Sequence, residues 1–160
     1  INTVLSEDVT GVQYAAVLKN IYAMGAGIAH GLGYGDNFQR VLVANAAGEM
    51  SRFLKAISGD VSSCVNYSSS VYLGDLLVTC YSQFSRNRTF GNMLGKGYSV
   101  KAAQLEMNMV AEGYYASNLI YNKSAKRDLQ LPIADAVYRV IYENANAKKT
   151  FKVLSDHNLH

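Results

Sequence analysis

The segment Leu18–Asn37, LKNIYAMGAGIAHGLGYGDN, decides the fold. Apolar residues at three- and four-residue steps lead into it (Val17, Leu18, Ile21 and Met24), which is the period of an amphipathic helix. Five glycines then follow between Gly25 and Gly35. Such glycines either cradle a dinucleotide or allow the end of a helix to pass close to another group.

The spacing of these glycines rejects a dinucleotide-binding loop. That fingerprint needs a third glycine three residues after the second, following a strand and opening a helix. The residue at that spacing is His30 after Gly25-Ala26-Gly27 and Asp36 after Gly31-Leu32-Gly33. We therefore expect the end of a helix that lies close to another helix or to a ligand.

The rest of the chain also favours helices. Pro132 is the only proline, and it stands at a natural first position for a helix carrying Ile133, Val137, Val140 and Ile141. A second apolar stripe comprises Leu42, Ala46, Met50, Phe53, Leu54 and Ile57, and Asp36 is a candidate N-cap before it. The serine-rich segment 62–70 is typical of a loop, whereas Leu76–Thr79 fits either a helix or a strand. The sequence predicts an all-α, multi-helix bundle forming one domain over residues 1–160.

Composition limits the function. The chain is 49% hydrophobic and 17% charged, which is typical of a folded domain. Its net charge of +3 is spread along the sequence, whereas nucleic-acid-binding proteins concentrate their cations on one face. We therefore expect a small anionic ligand and no nucleic acid.

Other residue patterns predict absences. Cys64 and Cys80 are interpreted as reduced thiols of an intracellular protein. His157 and His160, next to Asp156, lie near the C-terminus, and no metal is predicted. No signal peptide and no apolar stretch of about 18 residues is present, so no membrane span is expected. From the start at Ile1 rather than Met, we expect either an excised piece or a processed product.

Ordered motifs carry a resemblance to a known family. After the opening segment come Gly74-Asp75-Leu76 with Thr79-Cys80, Ser85-Arg86-Asn87-Arg88 with Phe90-Gly91, and Val110-Ala111-Glu112-Gly113. Leu131-Pro132-Ile133 to Ala136-Val137-Tyr138, ending at Tyr142-Glu143, closes the series. Together, from about Asp8 to Glu143, these motifs resemble the helical substrate domain of NAD(P)-dependent glycerol-3-phosphate dehydrogenases.

This resemblance implies a fold, a reaction and a missing partner. The fold is expected to be similar to the C-terminal domain of 6-phosphogluconate dehydrogenase. The full enzyme would interconvert sn-glycerol 3-phosphate and dihydroxyacetone phosphate with NAD or NADP, in the cytoplasm, and supply phospholipid synthesis. The cofactor would bind mainly to an N-terminal Rossmann domain, with residues 1–8 at its end and Asn2–Leu5 resembling its last strand. The fragment alone is expected to be inactive, and homodimerisation is left open.

The resemblance assigns Lys19 as the catalytic lysine. Oxidation of an alcohol by hydride transfer needs a base for the hydroxyl proton, and burial in a closed cleft would favour the neutral amine. Its ammonium form would stabilise a developing alkoxide. On the residue pattern alone, a solvated lysine at a helix edge is the favoured interpretation, and the resemblance reverses this preference.

Asp75 and Thr79 are assigned to the substrate site by the same resemblance. On a helix their four-residue spacing places them on one face. Asp75 can accept from a substrate hydroxyl or pair with Lys19. Thr79 can donate to the substrate, or it can bond its own helix backbone.

Ser85, Arg86 and Asn87 form a candidate phosphate site. Serine is a preferred N-cap, and the start of a helix favours an anion. Arg86 offers a planar fork and Asn87 an amide. The resemblance places these residues at the substrate phosphate and Arg86 near the cofactor as well. Arg88 is interpreted as a supporting or surface residue, and the alternative is a capped helix with two solvated arginines.

Val110 and Glu112 match positions that approach the cofactor in the family. A glutamate there could bond ribose hydroxyls, although a glutamate at a helix start is equally explained by the helix dipole. Gln13, Tyr72 and Ala116 depart from the family pattern, at positions where glutamate, glycine and a polar residue are common. The alternative functions are a related two-domain hydroxy-acid dehydrogenase and a non-catalytic anion-binding or dimerisation module.

Overall fold

A computed structural model describes residues 8–59, 66–67 and 70–160 of the chain. Over these ranges the chain forms α-helices and one π-helical turn, Ser70–Gly74, with no strand. The helices are α1 Val9–Gly31, α2 Asp36–Ser58, α3 Asp75–Tyr81, α4 Arg86–Gly95, α5 Val100–Met107, α6 Glu112–Ala125, α7 Pro132–Tyr142 and α8 Ala147–His157. The all-α prediction is confirmed.

Helix α1 is the centre of the bundle. It packs against α2, α3, α4, α6 and α7. Every residue from Ile21 to Ala29 is buried, because a helix enclosed on all sides has no polar face to present to water. The neighbouring helices are therefore positioned by packing around α1.

Helices α1 and α4 touch through their backbones. A Cβ on Gly27 would collide with the Arg88 carbonyl, and one on Gly91 would collide with the Met24 carbonyl. Gly31 and Gly95 face each other in the same way, each within 3.0 Å of the other's Cα if given a Cβ. The expectation that the glycines of α1 let it approach another helix is confirmed, and the partner helix carries its own matching pair.

The contacts of these glycines fix the direction of α4. Gly91 lies against Met24, and Gly95 lies one turn further along against Ile28. The two helices therefore run the same way at this contact. If the same register is continued by one turn toward the N-termini of both helices, Asn87 lies opposite Asn20, which is the neighbour of Lys19.

Glu49 caps α7 from inside the core. Only 2% of this residue is exposed, and its carboxylate accepts from the backbone N–H groups of Ile133, at 2.6 Å, and Ala134, at 3.3 Å. These groups lack intrahelical partners at the start of α7, where Pro132 has no N–H. Burial raises the pKa of Glu49 to about 7, although the two hydrogen bonds oppose the shift.

Several local predictions can be compared with these helices. Pro132 opens α7 as predicted, and Leu76–Thr79 is helical, with Leu76 and Cys80 buried one turn apart. The prediction of Asp36 as N-cap is wrong, because Gly35 holds that place and Asp36 lies in the first helical turn. An acidic residue is favourable there because it faces the positive end of the helix dipole.

Other predictions fall wholly or partly outside the description. Asn2–Leu5, Cys64 and most of segment 62–70 lie outside the described residues. Cys80 is a buried free thiol, and its pKa is raised to about 12 by desolvation. None of the helices in the described ranges combines the length and apolar character needed to cross a membrane.

Candidate functional site

An ion pair joins α1 to α3. Lys19 Nζ donates a 2.6 Å hydrogen bond to Asp75 Oδ2. The Lys19 side chain is 24% exposed and that of Asp75 43% exposed, so the pair lies at the edge of the core and is open to solvent. Of the two partners expected for Asp75, Lys19 is therefore the one that the structure places in contact with it.

Thr79 lies one turn after Asp75 on α3. Its hydroxyl donates to the Asp75 carbonyl at 2.7 Å, which is the backbone bond that the sequence left as the alternative. The hydroxyl proton is therefore engaged within the helix. The Thr79 oxygen, which is partly exposed, keeps lone pairs that can accept from a ligand hydroxyl.

Ser85 is the N-cap of α4, as predicted. Its Oγ accepts from the backbone N–H of Arg88 at 3.3 Å. Arg86 and Asn87 are the first two residues of the helix, so their backbone N–H groups have no acceptor within it. The start of α4 therefore offers donors and the positive end of a ten-residue helix.

Arg86 bridges from α4 to α6. Its guanidinium lies 3.0 Å from Glu112 Oε1, and both side chains are about 60% exposed. A pair this exposed contributes little to stability, typically below ~1 kcal/mol. It can therefore open for a ligand at small cost, and the remaining guanidinium donors stay available to one.

Asn87, in contrast, is built into the structure. It is 4% exposed, and its Oδ1 accepts from Gly113 N at 2.8 Å while Nδ2 lies 3.5 Å from Glu112 Oε2. The amide oxygen is used to hold the start of α6 against the start of α4. Only its NH₂ group is left with weak contacts, and this group is the part of Asn87 that could donate to an anion.

Gly113 brings the parts of the site together. A Cβ on this residue would lie 2.9 Å from Asn87 Oδ1 and 3.0 Å from the Asn20 carbonyl. The first turns of α4 and α6 thus meet the Lys19-Asn20 turn of α1, as the register of the glycine contact requires. Val110 just before α6 is 38% exposed, and Glu112 opens α6. All the predicted site residues therefore belong to α1, α3, or the starts of α4 and α6.

Sequence comparison decides the family. A model described as "NAD-dependent glycerol-3-phosphate dehydrogenase C-terminus" matches residues 8–152. The chain belongs to this family. It is also 38% identical, over 151 residues, to a glycerol-3-phosphate dehydrogenase (NAD(P)+) of Staphylococcus aureus, and the match covers 94% of this chain and 45% of that protein. The chain thus spans about half the length of the curated relatives it matches.

Solved structures of glycerol-3-phosphate dehydrogenases have the same fold. One from Coxiella burnetii superposes with a TM-score of 0.88 at 30% identity, covering 95% of this chain and 46% of the other. One from Saccharomyces cerevisiae gives 0.77 at 25% identity, covering 94% and 43%. In both cases more than half of the relative lies outside the match.

The departures from the glycerol-3-phosphate dehydrogenase pattern have structural consequences at one position. Tyr72 is buried, and its hydroxyl donates to Asp8 Oδ2 at 2.7 Å while Asp8 Oδ1 caps α1 through Gly11 N. A glycine could not make this bond. Gln13 is exposed and Ala116 is buried at the inner face of α6; neither contacts the candidate site through a hydrogen bond.

Sequence reasoning missed the roles of three residues. Gly113 and Asn20 lie within the motifs described above, but those motifs assign them no role, and none of the motifs includes Glu49. A glycine directly after a helix-opening glutamate was the available signal for Gly113. No local signal could reveal Glu49, because its partners are more than eighty residues away in the sequence.

Proposed function

We propose that this chain is the substrate-binding domain, with the catalytic lysine, of an enzyme that interconverts sn-glycerol 3-phosphate and dihydroxyacetone phosphate with NAD or NADP. The observation that carries the proposal is that Gly113 lies against both Asn87, at the capped start of α4, and Asn20, the neighbour of Lys19 on α1. A primary amine at one end and an anion site at the other fit a short phosphorylated alcohol.

Lys19 is proposed to handle the proton of the reacting oxygen. In the direction of reduction, the ammonium donates a proton to the substrate carbonyl oxygen as negative charge develops there. In the direction of oxidation, the neutral amine takes the hydroxyl proton. The hydrogen bond to Asp75 holds Nζ in one orientation, so little rotamer freedom is lost when substrate binds.

The start of α4 is proposed to hold the substrate phosphate. Arg86 supplies a guanidinium fork, and the Arg86 and Asn87 N–H groups supply donors at the positive end of the helix. Ser85 fixes the turn through its bond to Arg88 N. Thr79 is proposed to accept from a substrate hydroxyl, since its own proton is already engaged with Asp75 O.

The dinucleotide is proposed to bind mainly to a separate Rossmann domain, which supplies the glycine-rich phosphate loop. When bound, the nicotinamide accepts or gives the hydride. On this chain, Val110, Glu112 and Arg86 are exposed together near the starts of α6 and α4, so their side chains can meet a cofactor held from outside. Glu112 would then exchange its contact with Arg86 for ribose hydroxyls.

An exposed apolar surface supports this second domain as the partner. Next to Thr79 and Ser85 in the sequence, Val78 is 70% exposed and Phe84 95%. Single exposed apolar residues are common, but each of these two directly adjoins a residue of the candidate site. We propose that the Rossmann domain covers this surface, that the full enzyme is cytoplasmic, and that it can form a homodimer.

The experiment that tests the function is a substrate comparison with the full-length protein. Purified enzyme with NADH or NADPH is expected to reduce dihydroxyacetone phosphate, and glycerol 3-phosphate should drive the reverse reaction. Efficient turnover of an unphosphorylated hydroxy acid would favour the related dehydrogenase instead. If the coding sequence upstream of Ile1 lacks a strand followed by Gly-x-Gly-x-x-Gly/Ala, the non-catalytic module becomes the better reading.

A further inference from the structure

A cavity of about 620 Å³ lies beside α4, and none of the described residues that line it belongs to the candidate catalytic site. It is lined by the last turn of α1, the first turns of α2, the end of α3 and the body of α4, and it is open to solvent on one side. Its polar lining includes His30, Asp36, Arg40, Gln83, Arg88 and Asn92. We refer to it as the Arg88 cavity. Its volume falls within the usual range for small-molecule sites, roughly 300–1,000 Å³.

The two arginines of α4 lie on different sides of this helix. Arg86 and Asn87 point toward α6, where they contact Glu112 and Gly113. Successive residues of a helix are rotated by about 100°, so Arg88 and Asn92 face roughly away from Arg86. One helix therefore presents one arginine to each side.

The cations of the cavity have no counter-ions in the structure. Among the described residues, neither Arg40 nor Arg88 forms a salt bridge, and Asp36 pairs with neither of them. Two guanidiniums thus face a single carboxylate, with the His30 imidazole beside them. The excess of positive charge disfavours a metal ion and favours an anion.

Two buried polar atoms of the lining also lack partners. Within the described part of the chain, Arg88 Nε has no acceptor and Asn92 Oδ1 has no donor. Leaving a buried polar group without a hydrogen bond costs about 1–3 kcal/mol, so such groups are rare and usually have a ligand or solvent partner. Both atoms lie beneath the accessible surface of the cavity wall, so they mark imperfect pairing inside the wall and are not themselves contact points for a ligand.

We propose that the Arg88 cavity is a second anion site, which binds a small phosphorylated metabolite. Arg40 and Arg88 would share the phosphoryl oxygens, since guanidinium groups bind such oxygens in a bidentate manner. Asp36, which is exposed, would accept from a hydroxyl on the rest of the ligand. The cavity is larger than a phosphate ion, which leaves room for that part of the molecule. This proposal does not depend on the function proposed above.

The test uses the full-length protein carrying Arg86→Ala, so that the proposed catalytic anion site is weakened. Inorganic phosphate is titrated by calorimetry and by its effect on the melting temperature. We expect saturable binding with one site per chain, and a loss of affinity of about 10-fold or more when Arg40→Ala is added. Arg40 is exposed, so this variant should fold even if an Arg88 variant does not.

The matched control is Arg127→Ala, which removes an exposed arginine outside the cavity; it should leave phosphate binding unchanged. Sulfate should replace phosphate, and acetate at equal concentration should not. The proposal is overturned if the Arg86→Ala protein shows no saturable phosphate binding, if Arg40→Ala leaves the affinity unchanged, or if acetate binds equally well. An effect of Arg86→Ala on catalysis is scored separately and bears only on the catalytic site.

Discussion

Lys19 Nζ lies 2.6 Å from Asp75 Oδ2, and this bond ties the middle of the buried helix α1 to the first turn of α3. Both side chains keep an exposed edge. The amine is therefore fixed by a carboxylate on one side and reachable from solvent on the other. This is the arrangement required of a group that exchanges a proton with a bound substrate.

Replacement of Lys19 by methionine should remove the proton-transfer group while keeping an unbranched side chain of similar length. We expect kcat of the full-length enzyme to fall by about 10³-fold, with the circular dichroism spectrum unchanged. Lys55→Met, an exposed lysine of α2, is the control and should keep normal kinetics. A Lys19→Met enzyme with nearly normal kcat would refute the catalytic role.

Asp75 is expected to act through Lys19. Asp75→Asn should lower kcat by on the order of 10²-fold, because Nζ loses its fixed position. The double variant Lys19→Met/Asp75→Asn should be no slower than Lys19→Met alone, since residues acting as a unit are not additive. Multiplicative losses in steady-state kinetics would show instead that Asp75 acts independently of the lysine.

Arg86 is expected to bind the substrate phosphate. Arg86→Ala should raise KM for dihydroxyacetone phosphate by roughly 10- to 100-fold, the range for a lost charge-assisted hydrogen bond. Arg86→Lys should recover only part of this loss because it lacks the planar fork. Arg127→Ala serves as the control, and an unchanged KM in Arg86→Ala would remove the phosphate assignment.

Gly27 should tolerate no side chain. Gly27→Ala places a Cβ against the Arg88 carbonyl, a backbone atom that cannot rotate away, and should cost about 3 kcal/mol of unfolding free energy. Gly48→Ala is the matched control within α2, where the nearest atom to a new Cβ is the end of the Arg52 side chain at 3.5 Å. There alanine should stabilise the helix by about 0.5–1 kcal/mol. Urea unfolding of both variants measures the difference, and equal effects would contradict the close contact.

Glu49 should make stability depend on pH. Its folded pKa is raised from 4.5 to about 7, so between these values the folded state binds more protons than the unfolded state. Stability is then highest below pH 4.5 and falls as the pH rises through about 7. Tyr22, Arg52 and Asp135 are the charged or titratable groups nearest to it.

Glu49→Gln should flatten this dependence. Relative to wild type, the variant should gain on the order of 2 kcal/mol of unfolding free energy between pH 5 and pH 8, although it gives up the bond to Ala134 N. The control is Glu106→Gln, which replaces an exposed glutamate of α5. Its unfolding free energy should depend on pH in the same way as that of the wild type. A wild-type-minus-variant difference that stays constant across this pH range would contradict the shift.

Local patterns were sufficient for much of the fold. The apolar stripe from Leu42 to Ile57 gave α2, the position of Pro132 gave the start of α7, and Ser85 was correctly expected to cap α4. These features depend on neighbours within one or two helical turns. Asp36 is not the N-cap because Gly35 takes that position. Asp36 lies in the first turn instead, where its charge faces the positive end of the helix dipole.

Long-range contacts could not be read from the sequence. Nothing near Glu49 indicates that it caps a helix far along the chain, and nothing near Asn87 indicates that its oxygen is taken by Gly113. The sequence offered the Asn87 amide as a ligand for phosphate, whereas half of it is engaged in joining two helices. Whether a side chain such as Asn87 joins two helices or remains available to a ligand depends on the packing of distant parts of the chain.

The matching glycines of α1 and α4 have a consequence for the spacing of the candidate site. Because main chain rests on main chain along this contact, the distance between the backbones at Lys19 and Arg86 does not depend on side chains packed between the two helices. In the proposed enzyme, a change in this distance would require one whole helix to slide against the other. Four residues without side chains would therefore determine how far apart the proposed amine and phosphate sites are held.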